Sequence, residues 1–415
     1  MDYRNEEITG NQICPAGSHS VNAERAAALA LTYFMAEYGW PLLIPTGKMT
    51  VRELWNCPDD LMAGMLKLPR REISRLSAFR KNFSAGKVLD ELAEKSQVLV
   101  TLGEAGYPAC LAQIHDPPPA LFLCGKPRSE EFRRGGSSQA DDKDQKVADD
   151  IDKRLAKFMS QPRVAIVGAR AATRYGIDAA TEIARSLARN GVCVVSGMAL
   201  GIDAAAHRGA VAEKGGSIAV LGCGADFIYP RVNHKLYASL ISTGLVVSEY
   251  PPGTKPMPWR FPARNRIMAG ISDGVVVVEA RERSGALITA DFCLDAGREV
   301  FAVPGSIFSE LSAGPHELIR NGATLVTGAD DIIQALGLEP GNSDKARRES
   351  KWSRDLPEDL SEDERRLFHE LDQCPCQQDT LAARAGIGGA RAAAALVALE
   401  LRGLARLDPG RGYTR

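Results

Sequence analysis

The marks of a metalloprotein, a secreted protein or a membrane protein are scarce in this chain. Its nine cysteines (Cys14, Cys57, Cys110, Cys124, Cys193, Cys223, Cys293, Cys374 and Cys376) are scattered, and Cys374-Pro375-Cys376 has no second pair with which to hold zinc. An odd number in a long chain points to reduced thiols and a cytoplasmic setting. The opening MDYRNEEITG is polar and acidic, unlike a secretory leader. No apolar run approaches the roughly 18 residues that span a bilayer. A surplus of one charge is missing too: 51 Lys and Arg stand against 52 Asp and Glu, a formal −1. There is thus no global basic field, and a nucleic-acid site has to be a local patch. No GxGxxG follows the first core strand, and no Gly-Lys-Ser/Thr closes a phosphate loop. Dinucleotide and ATP chemistry are therefore unsupported, and neither a cofactor nor a metal is expected.

What is present is an ordinary globular composition, 45% hydrophobic and 25% charged over 415 residues. That length implies roughly two to four domains. Over 1–98 the segments ERAAALALTYFMAEYG, VRELWNCPDDLMAGML and PRREISRLSAFRKNF repeat apolar residues at three- and four-residue spacing, which predicts a small helical domain. Residues 99–126 read as a strand, a short helix and a second strand, with Asp116-Pro117-Pro118-Pro119 fixing the backbone between the last two. The stretch 127–160 is charged and rich in Gly and Ser, and predicts a flexible insertion ending in a short helical stub. From 161 to 337, VAIVG, VCVVSG, SIAVLG, GLVVSE, GVVVVE and EVFAVPG alternate with helical stretches. Unbroken Val and Ile runs mean strands buried on both faces, so this is an α/β domain with a doubly wound parallel sheet. A polar linker at 338–360 leads to 361–415, where three helices and two short strands around a turn predict a winged helix.

In such sheets ligands gather at the carboxyl ends of the strands. There the sequence places Gly168-Ala169-Arg170, Ser196-Gly197, Gly222-Cys223-Gly224 with Tyr229-Pro230-Arg231, and Arg281-Glu282-Arg283-Ser284-Gly285. Small residues let backbone amides approach an anion, and an arginine in the same loop adds a phosphate clamp. The plain alternative is that the glycines only permit tight turns. The segment KPMPWRFPARNRIM carries Lys255, Arg260, Arg264 and Arg266 around Trp259 and Phe261, without an acidic residue. Cations beside rings suit a single strand, because the cations meet phosphates while rings stack on unpaired bases. The alternative is that the rings anchor the loop and that Arg264 and Arg266 bond loop carbonyls. Catalytic sets are thin. Asp203 and His207 share a helical face as an acid–base pair or a structural one, Ser196 and Ser284 lack a visible base, and no nucleophile–base–orienter set is present.

VAIVGARAATRYG, VVSGMALGIDAAAHRGAV, IAVLGCGADFIYPRVNHKL, SEYPPG, FPARNRIMAG, VVVVEARERSGALITA and VFAVPG run in order through 161–305, followed by PHELIRNGATLV. Together they resemble the extended Rossmann domain of the DprA/Smf (DNA-processing protein A) family. YPACLAQIHDPPPALFLCG resembles that family's approach to the domain, and the N-terminal helices are similar to a SAM-like domain. The resemblance implies a cytoplasmic protein without catalysis that binds single-stranded DNA, pairs as a homodimer through the Rossmann domain, and loads RecA during natural transformation. It implies strand-binding roles for Gly168, Arg170, Ser196, Gly197, Gly224, Arg231 and Gly285, and extends them to Arg260, Arg264 and Arg266 in a marked motif. Ala169 departs from the Ser or Thr usual in the Gly-Ser-Arg loop, which removes a phosphate donor. The recognition helix ARAAAALVALELRG is largely apolar, which suits protein contact better than groove reading.

Two other classes compete. Phosphoribohydrolases of nucleoside monophosphates use similar pockets and need a carboxylate at the sugar, here Glu249 or Glu279, but the chain has no PGGxGT-type loop. A scaffold that binds proteins through its helical ends needs no DNA site at all.

Overall fold

The computed structural model describes residues 22–38, 49–124, 140–338, 360–371, 376–408 and 412–414. They fall into two compact units, 1–341 and 342–415.

The larger unit is built on a nine-stranded sheet: β1 (Gln97–Thr101), β2 (Ala120–Cys124), β3 (Arg163–Val167), β4 (Cys193–Ser196), β5 (Ser217–Leu221), β6 (Leu245–Ser248), β7 (Gly274–Val277), β8 (Glu299–Ala302) and β9 (Thr324–Leu325). Their order is β1-β2-β6-β5-β4-β3-β7-β8-β9. From β6 to β9 every pairing is parallel, as the apolar runs predict, while β1 and β2 extend the sheet as an antiparallel hairpin. Successive residues of β3 feed opposite cores: Val164 and Ile166 face one layer, Ala165 and Val167 the other. Both faces are dry, so period-2 patterning is absent and the strand reads as continuous apolar sequence. The chain reverses direction across the sheet between β3 and β7, which opens a crevice at their carboxyl ends.

Among the described residues, five α-helices precede the sheet, at Ala23–Tyr38, Val51–Asn56, Asp59–Met65, Ile73–Asn82 and Ala85–Glu94. The first four close on a core of Leu31, Phe34, Leu54, Met62 and Leu76, while Leu92 of the fifth packs with Leu29, Leu99 and Phe122 against the sheet. Thr50 opens the second of them with a capping box: its hydroxyl accepts from Glu53 N, and the Glu53 carboxylate accepts from Thr50 N.

The charged tract differs from its expectation. Residues 125–139 lie outside the described ones, but Ala140–Met159 is a 20-residue helix, no short stub. Ile151, Leu155 and Phe158 are buried against the sheet, and the Arg154 guanidinium donates to Ile241 O at 2.6 Å. A stripe of three apolar residues at helical spacing binds this helix down although charge dominates its composition.

In the smaller unit, helices Glu362–Glu370, Gln378–Ala385 and Gly389–Leu401 pack around Leu367, Phe368, Leu381, Leu396 and Leu399. The strands β10 (Arg406–Asp408) and β11 (Gly412–Thr414) pair antiparallel as the wing. Most of the linker predicted at 338–360 lies outside the described residues. Among the described residues no single helix is long and apolar enough to cross a membrane.

Candidate single-strand interface

The arginines expected at the rim divide into two sets. Arg170, at the end of β3, is exposed, and its guanidinium lies 5.1 Å from the centre of the Phe261 ring. Phe261 in turn lies 5.6 Å from the half-exposed ring of Tyr229, tilted by 36°. Arg231, two residues on from Tyr229, is also exposed and makes no ion pair among the described residues. Three separate loops, after β3, after β5 and at the start of helix Arg260–Ile271, thus bring two cations and two rings to one stretch of the rim.

Arg260, Arg264 and Arg266 correct the expectation of a basic DNA-facing loop: all three are buried. Arg264 donates to Gly197 O at 2.8 Å and to Val220 O, tying the ends of β4 and β5 together from beneath. Burial draws its pKa downward, and the nearby Asp203 carboxylate opposes this. Arg266 donates to Glu249 at 2.6 Å and to Asp116 at 2.9 Å. Burial disfavours its charge, but these two carboxylates outweigh burial and hold its pKa above the usual value. Arg260 donates to Lys255 O at 2.6 Å and to Ala36 O at 3.1 Å, between the rings of Tyr250 and Trp259. It clamps the first helix to the loop before Phe261. The alternative weighed for Arg264 and Arg266, bonds to loop carbonyls, holds for Arg264, whereas Arg266 is chiefly held by carboxylates. Trp259 anchors the loop; Phe261 is the ring that meets a rim cation.

The amide cradle is corrected in the same way. Ser196 is fully buried and its hydroxyl donates to Ile166 O at 2.7 Å. The amides of Ala169, Gly197 and Gly224 donate to Glu279 O, Asp203 Oδ2 and Thr254 O. These glycines answer to space. A Cβ at Gly197 would collide with the Arg264 guanidinium, and one at Gly168 would lie 2.7 Å from Ile202 and 2.8 Å from Glu279 O. Gly285 alone of the predicted glycines faces open space, one residue past the Ser284 cap of helix Gly285–Asp295.

Neither carboxylate weighed for sugar chemistry reaches solvent. Glu279 accepts from Thr173 N at 2.8 Å and Thr173 Oγ1 at 2.5 Å, while Glu249 is held by Arg266. Asp203 and His207 do not pair either. Asp203 accepts from Gly197 N and Ala199 N, and burial raises its pKa. His207 Nδ1 meets Ser217 Oγ at 2.8 Å, and burial pushes its pKa down to about 3, which keeps it neutral. Among the described residues no cluster of metal-ligating side chains occurs.

Comparison with known proteins agrees with this architecture. The family profile described as DNA recombination-mediator protein A matches residues 153–337, and the DprA winged helix domain matches 353–411. The Smf protein of Synechocystis is 32% identical over 386 residues, covering 87% of this chain and 91% of its own. The chain belongs to the DprA/Smf family. The X-ray structure of DprA from Streptococcus pneumoniae superposes with a TM-score of 0.56 at 31% identity, over 76% of this chain and 98% of that one. DprA from Helicobacter pylori, whose structure concerns its mode of binding single-stranded DNA, aligns at 29% identity over 57% of this chain and 95% of that one, with a TM-score of 0.46. Tyr229 is what sequence reasoning about this DprA/Smf chain missed: it was visible beside Pro230, but nothing in the sequence joins it to Phe261, 32 positions away.

Proposed function

We propose that the protein holds single-stranded DNA along the carboxyl edge of its sheet and delivers it to RecA. Bases stack on Phe261 and Tyr229, and Arg170 and Arg231 meet the phosphates between them. The observation that carries this reading is the run Arg170–Phe261–Tyr229, with a guanidinium 5.1 Å from one ring and a second ring 5.6 Å beyond. Paired bases hide their faces, so partly exposed rings flanked by cations favour an unpaired strand, whatever its sequence. Buried Arg264 ties together the ends of β4 and β5 beneath this run. The strand is bound without any bond being broken, which fits two carboxylates already committed within the protein. Family membership supports RecA as recipient, a role in natural transformation and a cytoplasmic location. It also supports pairing of two copies through the α/β domain, with half-exposed Leu325 on the last strand β9 as the kind of surface it needs.

Fluorescence anisotropy with an oligothymidylate and a hairpin duplex, with and without RecA, tests the reading. The single strand binds more tightly, and RecA filaments nucleate faster on the complex. Arg170→Ala weakens binding and lowers the slope of log affinity against log salt by about 0.7, one phosphate contact. Equal affinity for both DNAs, or release of free base from nucleoside monophosphates, overturns it.

A further inference from the structure

We propose a second base-stacking station on the same rim, formed by Phe308, Tyr175 and Arg283, which takes up the next stretch of a strand held at Phe261 and Tyr229. The proposal rests on the DNA-binding reading above and extends it along the sheet. Phe308 and Ile307 are the most exposed large apolar residues of the α/β domain, at 92% and 82%. They stand at the tip of an ordered turn after β8: Ser309 N donates to Ser306 O at 3.0 Å, and Phe308 N to Ser306 Oγ at 3.3 Å. Two adjacent bare apolar side chains on a fixed turn present surface that a ligand can cover.

The surroundings repeat the chemistry of the first station. Tyr175, half-exposed, donates its hydroxyl to Pro304 O at 2.7 Å, which sets its ring beside this turn. The loop after β7 is tied to the same region by Ala280 N donating to Leu311 O and by the Arg281–Glu310 ion pair at 3.3 Å. That loop offers Arg283, exposed and without an ion pair among the described residues. Against it stands Glu282, exposed and likewise unpaired, while Glu279 is buried on Thr173. Position then favours a nucleic-acid strand over a protein. Arg170 lies in the loop after β3 and Tyr175 in the first turn of the helix Arg174–Arg189 that follows it, and the ends of β3 and β8 are two strand spacings apart, about 10 Å. A few stretched nucleotides cross that gap, with Arg283 on the way.

The test uses the full chain and oligothymidylates of increasing length. Phe308→Ala binds the shortest retained oligonucleotide like the parent, but loses the gain in affinity that longer ones bring, by about five- to a hundredfold. Phe308→Trp restores that gain, and its added fluorescence is quenched by long oligonucleotides only. If Phe308→Ala matches the parent at every length, the second station is overturned while the first stands. A shift of oligomeric state in sedimentation with DNA binding unchanged also overturns it, and assigns the turn to protein contact. Failure of the parent chain to bind any oligothymidylate sinks the underlying reading instead.

Discussion

Arg170 and Arg264 both belong to the carboxyl edge of the sheet, and they have opposite tasks. Arg170 lies in water over an aromatic ring; Arg264 lies in the core with its donors on carbonyls. An exposed guanidinium keeps its hydration and is free to exchange it for a phosphate. A buried one must be satisfied by the protein itself, and truncating it leaves its partners stranded. A motif dense in arginine thus mixes binding groups with the struts beneath them, and only burial separates the two.

The sharpest way to break this comparison is Arg266→Ala. It leaves Glu249 buried without its cation, so stability in chemical denaturation should fall by about 3–5 kcal/mol. Oligonucleotide affinity of the fraction still folded should stay close to the parent. A stable variant that has lost DNA binding would move Arg266 to the ligand side.

His207 probes the same support by pH. Its folded pKa, about 3, lies below its ordinary value, so the unfolded chain takes up the proton first as pH falls. Its contribution is therefore complete above about pH 6.5 and declines toward pH 3, by at most about 1.4 kcal/mol per pH unit. His207→Gln should flatten the parent's stability loss across that window. A slope identical to the parent's would mean that His207 charges in the folded state.

Phe261→Ala tests the exposed side. It should cost about 1–3 kcal/mol of single-strand affinity, in the range of one lost stacking contact. The half-buried ring also packs near Gly222, so a modest stability loss is expected alongside. Retained affinity would leave Arg170 acting as a charge alone, without a platform.

The sheet was legible because both its faces are dry: six of its strands appear as Val and Ile runs that no other structure explains. β9 escaped notice, being two exposed residues at an edge, Thr324 and Leu325. The helix from Ala140 was obscured because three apolar residues were outvoted by charge. At the site, loop positions were legible but burial was not. Ser196 sits beside Gly197 much as Arg170 sits near Gly168, and only the packing of β4 and β5 decides which side chain reaches water. The partnership of Phe261 with Tyr229 depends on the crossover between strands, which local pattern does not encode.

The smallest expected effect lies in the winged helix and contrasts it with the rim. Its recognition helix offers no bare guanidinium like Arg170: Arg391 is held by both oxygens of Asp363, at 2.7 and 2.6 Å, and Arg402 also has a partner. Its exposed face instead carries Val397 and Leu401, the latter 84% exposed. Placing an acid there should deter a polyanion if DNA touches this helix and do almost nothing if it does not. Leu401→Glu should therefore change stability by no more than about 0.5 kcal/mol, as a surface substitution. Affinity for single strand and duplex should change less than about twofold, with the salt slope intact. A selective loss of duplex binding in this variant would bring the helix into DNA contact and remove the contrast with the sheet edge.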